Sequence, residues 1–371
     1  MLEILTPLAG LMWAGLLALP WRPYSTRERL SATASAAPQA YPDVTVLSPA
    51  RNEAESIQTV LLGVAAQGSL ARIILVDDQS DDGTAGLANA LDLDNLTIIT
   101  GTTPPPGWSG KLWALQQGLA HAETDKILLL DADIELKPGM LKALHDHMED
   151  LNLTMVSLMA NLSMLSFWER LLIPAFVYFF KLIYPFALAN SNRSRLAAAA
   201  GGCILIQRKA LNDIGGFSAL HDAIIDDCTL AKYVKENGGT IWLGLTDGAV
   251  AVRGYSALSE IWDMVARTAY TQLHYSTMLL LVCTALMTVS FWVPIAALLG
   301  GGAALRYIAL LALALCFASY WPVIKYYRLP AFWTFTLPLA GTLFLAMTWT
   351  SAWRYWRGER SRWKARSYST E

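Results

Sequence analysis

The chain is poor in charge. Of its 371 residues only 16% are Asp, Glu, Lys or Arg, against about 25% in ordinary soluble domains. Basic residues are not in excess: 28 Lys and Arg face 30 Asp and Glu, for a net charge of −2. Without a clustered basic face there is no electrostatic footprint for phosphate backbones, so nucleic acid is not expected as a partner. Only four cysteines occur, Cys203, Cys228, Cys283 and Cys316, with no C-x-x-C spacing. That excludes a disulfide framework and a cysteine zinc site, leaving reduced core or membrane thiols. The five histidines also lack metal-ligand spacing, and His145 and His147 read as exposed helix positions. Acidic residues are missing altogether between Asp263 and Glu359.

What fills those gaps is apolar. The set AVILMFWYC makes up 54% of the chain, which excludes a disordered protein and argues against a wholly soluble one. Met278–Leu299 is uncharged and long enough for a hydrocarbon core of about 30 Å, at roughly 20 residues per span. Tyr307–Ile324 and Phe332–Trp353 are two further candidates, so residues 277–353 are expected to be transmembrane helices, followed by a basic tail, 354–371. Residues 1–21 carry only Glu3, and Arg22, Arg27 and Arg29 follow. In a cleaved signal peptide the positive charge would come first, so a retained anchor is expected, with the middle of the chain on the cytoplasmic side of the inner membrane. Three C-terminal spans would then place Arg354, Arg357, Arg360, Arg362, Lys364 and Arg366 outside, against the positive-inside rule. Either one span is re-entrant or the tail escapes the rule.

Residues 22–43 are small, polar and proline-punctuated, as in a linker. From Val44 short apolar runs (V-T-V-L-S-P, R-I-I-L-V-D, L-T-I-I-T, K-I-L-L-L-D) alternate with helical patterns beginning at Glu53, Thr84, Lys111 and Pro138. Such units predict a parallel α/β sheet whose ligands lie beyond the carboxyl ends of the strands. Phe167–Leu188 is aromatic but broken by Pro174 and Pro185 and charged at Glu169, Arg170 and Lys181; an interfacial hairpin on the membrane surface fits it, with a buried helix as the alternative.

Acidic residues gather at the predicted strand ends. Asp77, Asp78, Asp81 and Asp82 follow the second strand, where mutual repulsion needs a compensating ligand, cation or set of backbone N–H groups; a solvated helix-capping turn is the plain alternative. Asp131 and Asp133 form a D-x-D after the fourth strand, a hard-oxygen pair suited to Mg²⁺ or Mn²⁺ on a diphosphate. Asp226 and Asp227 open a predicted helix, where capping explains one carboxylate better than two. Lys111 follows a glycine at another helix start and suits a phosphate oxygen.

These stretches (P-A-R-N-E at 49–53, D-D-Q-S-D-D-G-T at 77–84, G-K-L-W-A-L-Q-Q-G-L at 110–119, L-L-L-D-A-D at 128–133, and the G-G-C-I-L-I-Q-R-K-A-L-N-D-I-G-G-F tract at 201–217) resemble, in order, the motifs of family 2 glycosyltransferases. Within that family the flanking apolar segments look like the membrane-bound ceramide-glucosyltransferase branch and the bacterial hopanoid-associated enzymes. The resemblance implies a GT-A type (Rossmann-like) mixed-sheet domain over 44–276 plus transmembrane helices. It also implies an inverting transfer of a hexose from a nucleotide-sugar of the UDP class to a lipid hydroxyl at the bilayer. By the same resemblance Ala50, Arg51, Glu53, Asp78, Lys111, Asp131, Asp226 and Arg267 would hold the donor, Asp133 the divalent cation, and Asp227 would be the base. Around Arg267 the family's Q-x-x-R-W reads M-V-A-R-T, which counts against processive polymer synthesis. A polyprenyl-phosphate sugar synthase and a non-enzymatic membrane scaffold are the alternatives.

Overall fold

The computed structural model describes residues 1–33, 39–363 and 366–369, with side chains as far as Glu359. Lys364, and the side chains of Arg360, Arg362 and Arg366, lie outside what is described, as does the A-S-A-A stretch at 34–37.

The four expected strands form, and for the expected reason. β1 (Gln39–Ala50), β2 (Gly68–Asp77), β3 (Leu96–Thr100) and β4 (Lys126–Leu130) pair in parallel in the order β3-β2-β1-β4. Their side chains alternate between two fully covered faces. Val46, Ile73, Leu75 and Leu128 pack on one side, under helices Ile57–Ala65 and Met140–Asp150. Leu47, Ile74, Val76 and Leu129 pack on the other, under helices Gly110–Leu119 and Asp226–Glu236. A Cβ on Gly118 would sit 2.3 Å from Leu47 Cδ1, so the glycine sets how closely that helix approaches the sheet.

Beyond β4 the sheet ceases to be parallel. β5 (Ile134–Leu136), β6 (Met155–Asn161), β7 (Cys203–Gln207) and β8 (Ile241–Ala251) extend it as β4-β7-β6-β8-β5. β7 runs antiparallel to both its neighbours, and β5 antiparallel to β8. The supposed linker is partly built into this sheet. Leu30 N–H donates to Leu245 O at 2.9 Å and Leu245 N–H to Glu28 O at 2.9 Å, so the segment lies along β8, and β1 begins at Gln39. His145 and His147 are half-buried, not exposed: His145 Nε2 lies 3.2 Å from Asp43 Oδ2, and His147 packs edge-on against Trp242.

Three apolar helical stretches, 277–300, 303–326 and 331–356, are each long and apolar enough to cross a bilayer, and helix Leu2–Ala18 packs against the first two. Its Trp13 indole donates to Ser290 O at 3.0 Å. The tract expected to be a hairpin is one helix, Phe167–Ile183, running through Pro174. It is largely covered by helices Ala303–Tyr326 and Leu337–Trp356: Tyr178 bonds Ser319 at 2.7 Å, and Phe179 meets Phe344 edge-on.

Its charges serve as ties. Lys181 reaches Glu28 at 3.3 Å. The buried Glu169 carboxylate accepts from the N–H groups of Leu165 (2.8 Å), Ser166 (2.7 Å) and Tyr255 (2.7 Å). Burial alone would raise its pKa, but the Ser166 and Tyr255 N–H groups outweigh that and hold it low. Glu169→Ala would strand three backbone donors and should lower unfolding free energy by roughly 3 kcal/mol, read as a denaturation midpoint in detergent. A loss no larger than that of a surface substitution such as Arg170→Ala would overturn this role.

Candidate active site

Two loops at the carboxyl edge of the sheet lock together. After β1, Asn52 N–H donates to Ser80 Oγ (3.0 Å), Glu53 N–H to Thr84 Oγ1 (2.9 Å) and Ala54 N–H to Asp82 Oδ2 (2.9 Å). Asp78 N–H returns a bond to Ala50 O at 2.8 Å. Arg51 sits over this junction, with Nη1 donating to Asp78 O and lying 3.8 Å from Asp78 Oδ2. Asn52 and Gln79 hold positive φ angles of 53° and 57°, uncommon for residues with side chains.

The four aspartates after β2 divide their labour. Asp82 takes the capping role: its carboxylate accepts from Ala54 and Thr84 and is held low by those bonds against the effect of burial. Asp78 is buried beside Arg51, Asp77 is buried at the strand end, and Asp81 is exposed. Of the expected donor residues, Ala50, Arg51, Glu53 and Asp78 thus form one continuous rim.

The second group lies next to that rim. Lys111 stands in the first turn of helix Gly110–Leu119, and its ammonium pairs with Asp131 Oδ1 at 2.6 Å. Asp226 and Asp227 begin helix Asp226–Glu236 and line the same pocket as Lys111 and Asp131, over an apolar floor that includes Leu129, Ile204 and Phe217. Gly201 closes one wall. A Cβ there would sit 3.4 Å from Asp227 Oδ2 and 3.5 Å from Lys111 Nζ, in ordinary contact with both charged groups.

These carboxylates pay for being together. Burial first, then repulsion from Asp226, push the Asp227 carboxyl up from the usual 3.8 to about 7, against the Cys228 N–H, which donates to its Oδ1 at 2.7 Å, and the Lys111 charge. Asp131 is raised by burial and by Asp133, with Lys111 opposing. Lys111 is held firmly protonated: burial disfavours its charge, but Asp131, Asp226 and Asp227 together outweigh that.

Asp133 lies one residue beyond Ala132, in the turn between β4 and β5, where its backbone carbonyl accepts from Val252 N–H at 2.8 Å. Its charge acts on Asp131 and on the hydroxyl of Tyr255. Among the described residues no three His, Cys, Asp or Glu side chains cluster closely enough to hold a metal alone. The donor set therefore fits a Mg²⁺ or Mn²⁺ ion that takes one or two carboxylates from the protein and its remaining oxygens from a diphosphate and water.

Arg267 is placed apart. It lines a separate cavity of about 160 Å³ with Tyr270, Tyr275, Ser351, Arg354 and Tyr355, although its charge, like that of Asp133, reaches the Tyr255 hydroxyl. Two residues near Asp227 were not singled out for the site from sequence. Tyr184 donates to Gln272 Oε1 at 2.6 Å, and both Cys228 and Asp227 act on its hydroxyl. No local pattern marks that pair, because 88 residues separate its members.

Residues 45–215 match the family described as "Glycosyl transferase family 2". That match ends short of Asp226, Asp227 and Arg267. The chain is 33% identical over 91 residues to a 4,4'-diaponeurosporenoate glycosyltransferase of Staphylococcus aureus, and 30% identical over 93 residues to one of Staphylococcus haemolyticus. Each alignment covers 24% of the relative, so the chain spans about a quarter of the length of these curated relatives. In structure it is similar to a mannosyltransferase of Pyrobaculum calidifontis solved with GDP-Man and Mn2+ (TM-score 0.57, 19% identity, 92% of this chain and 99% of that one). With the mixed sheet and the acidic strand ends on the same residues, residues 45–215 are similar to family 2 glycosyltransferases, and the chain has the GT-A fold.

Proposed function

We propose that the protein is an inverting hexosyltransferase that moves a sugar from a nucleotide-sugar, of the UDP class, to a hydroxyl of a hopanoid- or ceramide-like membrane lipid at the cytoplasmic face. The observation that carries this reading is Asp227: a carboxyl raised to about 7, in one pocket with Lys111, Asp131 and Asp226, at the carboxyl edge of the sheet. The apolar helices packed on the domain and the staphylococcal relatives named for diaponeurosporenoate support a lipid acceptor.

In this mechanism the rim formed by Ala50, Arg51, Glu53 and Asp78 takes the nucleoside. Asp131 and Asp226 face the sugar. Asp227 accepts the proton of the acceptor hydroxyl, and that oxygen attacks C1 of the sugar opposite the departing diphosphate, so configuration inverts. A base with its pKa near the working pH is part deprotonated and still a competent proton acceptor. Lys111 supplies positive charge next to the leaving group. A divalent cation held by Asp133, when bound, would neutralise charge on the diphosphate.

Asp227→Asn keeps size and hydrogen bonding but cannot take the proton. Turnover should fall by about 10²–10⁴-fold, with donor affinity little changed. Near-native turnover would refute the role, and loss of donor binding alone would recast Asp227 as a sugar contact. The acid limb of kcat/KM for the wild type should lie near pH 7, with activity rising as Asp227 loses its proton. Asp226→Asn removes a neighbouring negative charge, lowers the Asp227 pKa and should move that limb to lower pH; an unmoved limb would mean that another group titrates.

Asp133→Ala should abolish turnover and Mn2+-dependent binding of the nucleotide-sugar while leaving the thermal unfolding of the ligand-free protein unchanged. Full turnover in the presence of a chelator would overturn the cation assignment.

A further inference from the structure

The helix that closes the chain has both ends on the same side. Residues preceding 277 belong with the catalytic domain, so helix Thr277–Met287 starts on the catalytic side and its continuation ends at Gly300 on the far side. Helix Ala303–Tyr326 returns: the Tyr326 hydroxyl donates to Thr246 O at 2.7 Å, and its ring lies under the Arg29 guanidinium, both contacts with catalytic-side segments. The last apolar stretch therefore enters from the catalytic side, and Trp333 meets Phe167 at the head of helix Phe167–Ile183.

It also leaves there. Helix Leu337–Trp356 runs antiparallel to the first crossing, with Trp292 bonding Thr342 at 2.9 Å, Trp349 bonding Thr284 at 3.1 Å and Tyr355 stacking on Tyr275 at 4.4 Å. Because residue 275 precedes the first crossing, Tyr355 emerges on the catalytic side. Arg354 confirms that level by pairing with Asp263 at 2.6 Å.

We propose that residues 331–356 do not cross the bilayer. They form a re-entrant segment that enters and leaves the membrane on the side of the catalytic domain. The short 3₁₀ limb Ala331–Thr336 descends and the α-helical limb ascends. Non-α backbone at membrane depth is tolerated where protein covers it, and Trp333 and Thr334 in the short limb are buried. Charge agrees. With this path Arg22, Arg27, Arg29, Lys325, Arg328, Arg354 and Arg357 all flank the membrane on the catalytic side, and Arg306 alone adjoins the far-side turn. A third crossing would carry Arg354, Arg357 and the rest of the basic tail to the wrong side. The exposed Phe335, Leu339 and Trp353 then face lipid.

The inference rests on the membrane part of the proposed function and not on its chemistry, and the test separates the two. Single cysteines are introduced at Ala304 (far-side turn), Arg357 (end of the re-entrant segment) and Glu123 (surface of the catalytic domain), all exposed positions. Sealed cells are treated with a membrane-impermeant maleimide, with the unsubstituted protein as blank. Ala304→Cys should label in sealed cells, and Arg357→Cys and Glu123→Cys only after the membrane is opened. Labelling of Arg357→Cys together with Ala304→Cys would overturn the re-entrant path while leaving the membrane enzyme intact. Protection of all three in sealed cells would remove the crossings themselves.

Discussion

Three carboxylates, Asp131, Asp226 and Asp227, reach one pocket from a strand end and a helix start, and between them they offer only mutual repulsion and the cost of burial. The Lys111 ammonium, 2.6 Å from Asp131, is the charge that offsets this within the chain. Much of the local architecture serves that contact. Gly118 lets the helix carrying Lys111 press onto Leu47 and Val76. The balance is incomplete, and the residual strain appears as an Asp227 carboxyl raised to about 7. For a structural ion pair that would be a defect. For a proton acceptor it is a useful setting.

The same economy of charge joins the catalytic domain to its apolar helices. Glu169, buried at a helix start, takes N–H bonds from its own first turn and from Tyr255. Lys181, at the other end of that helix, reaches Glu28 in the segment that follows the first apolar helix. Both residues counted against a simple span in the sequence, and in three dimensions they prove to be ties. The Tyr255 hydroxyl in turn feels the charges of Asp133 and Arg267.

The core strands, the acidic strand ends and the start of helix Asp226–Glu236 were legible because each is a local pattern. Alternating β-branched residues specify a strand buried on both faces, and like charges crowded after it signal a compensated site. The two members of the D-x-D pair have different surroundings, Asp131 lining the Lys111 pocket and Asp133 acting on the Tyr255 hydroxyl. The four-aspartate turn was read less fully. Its composition could not say that Asp82 would cap while Asp78 faced Arg51, because that division depends on the loop after β1 lying against it.

What the sequence determined by itself was therefore the alternation of strand and helix, the position of the acidic edge and the apolar content of the chain ends. These follow from side-chain period and composition, which need no partner. Tertiary structure decided what depends on segments distant in the chain: the antiparallel β7, the laying of residues 28–30 along β8, the packing of Phe167–Ile183 as one covered helix, and the Tyr184–Gln272 bond. Hydropathy sees the length of residues 331–356 but not where their two ends are fastened. Only the contacts to Phe167, Thr284 and Asp263 fix that, because a side of the membrane is a relation between segments and not a property of any one of them.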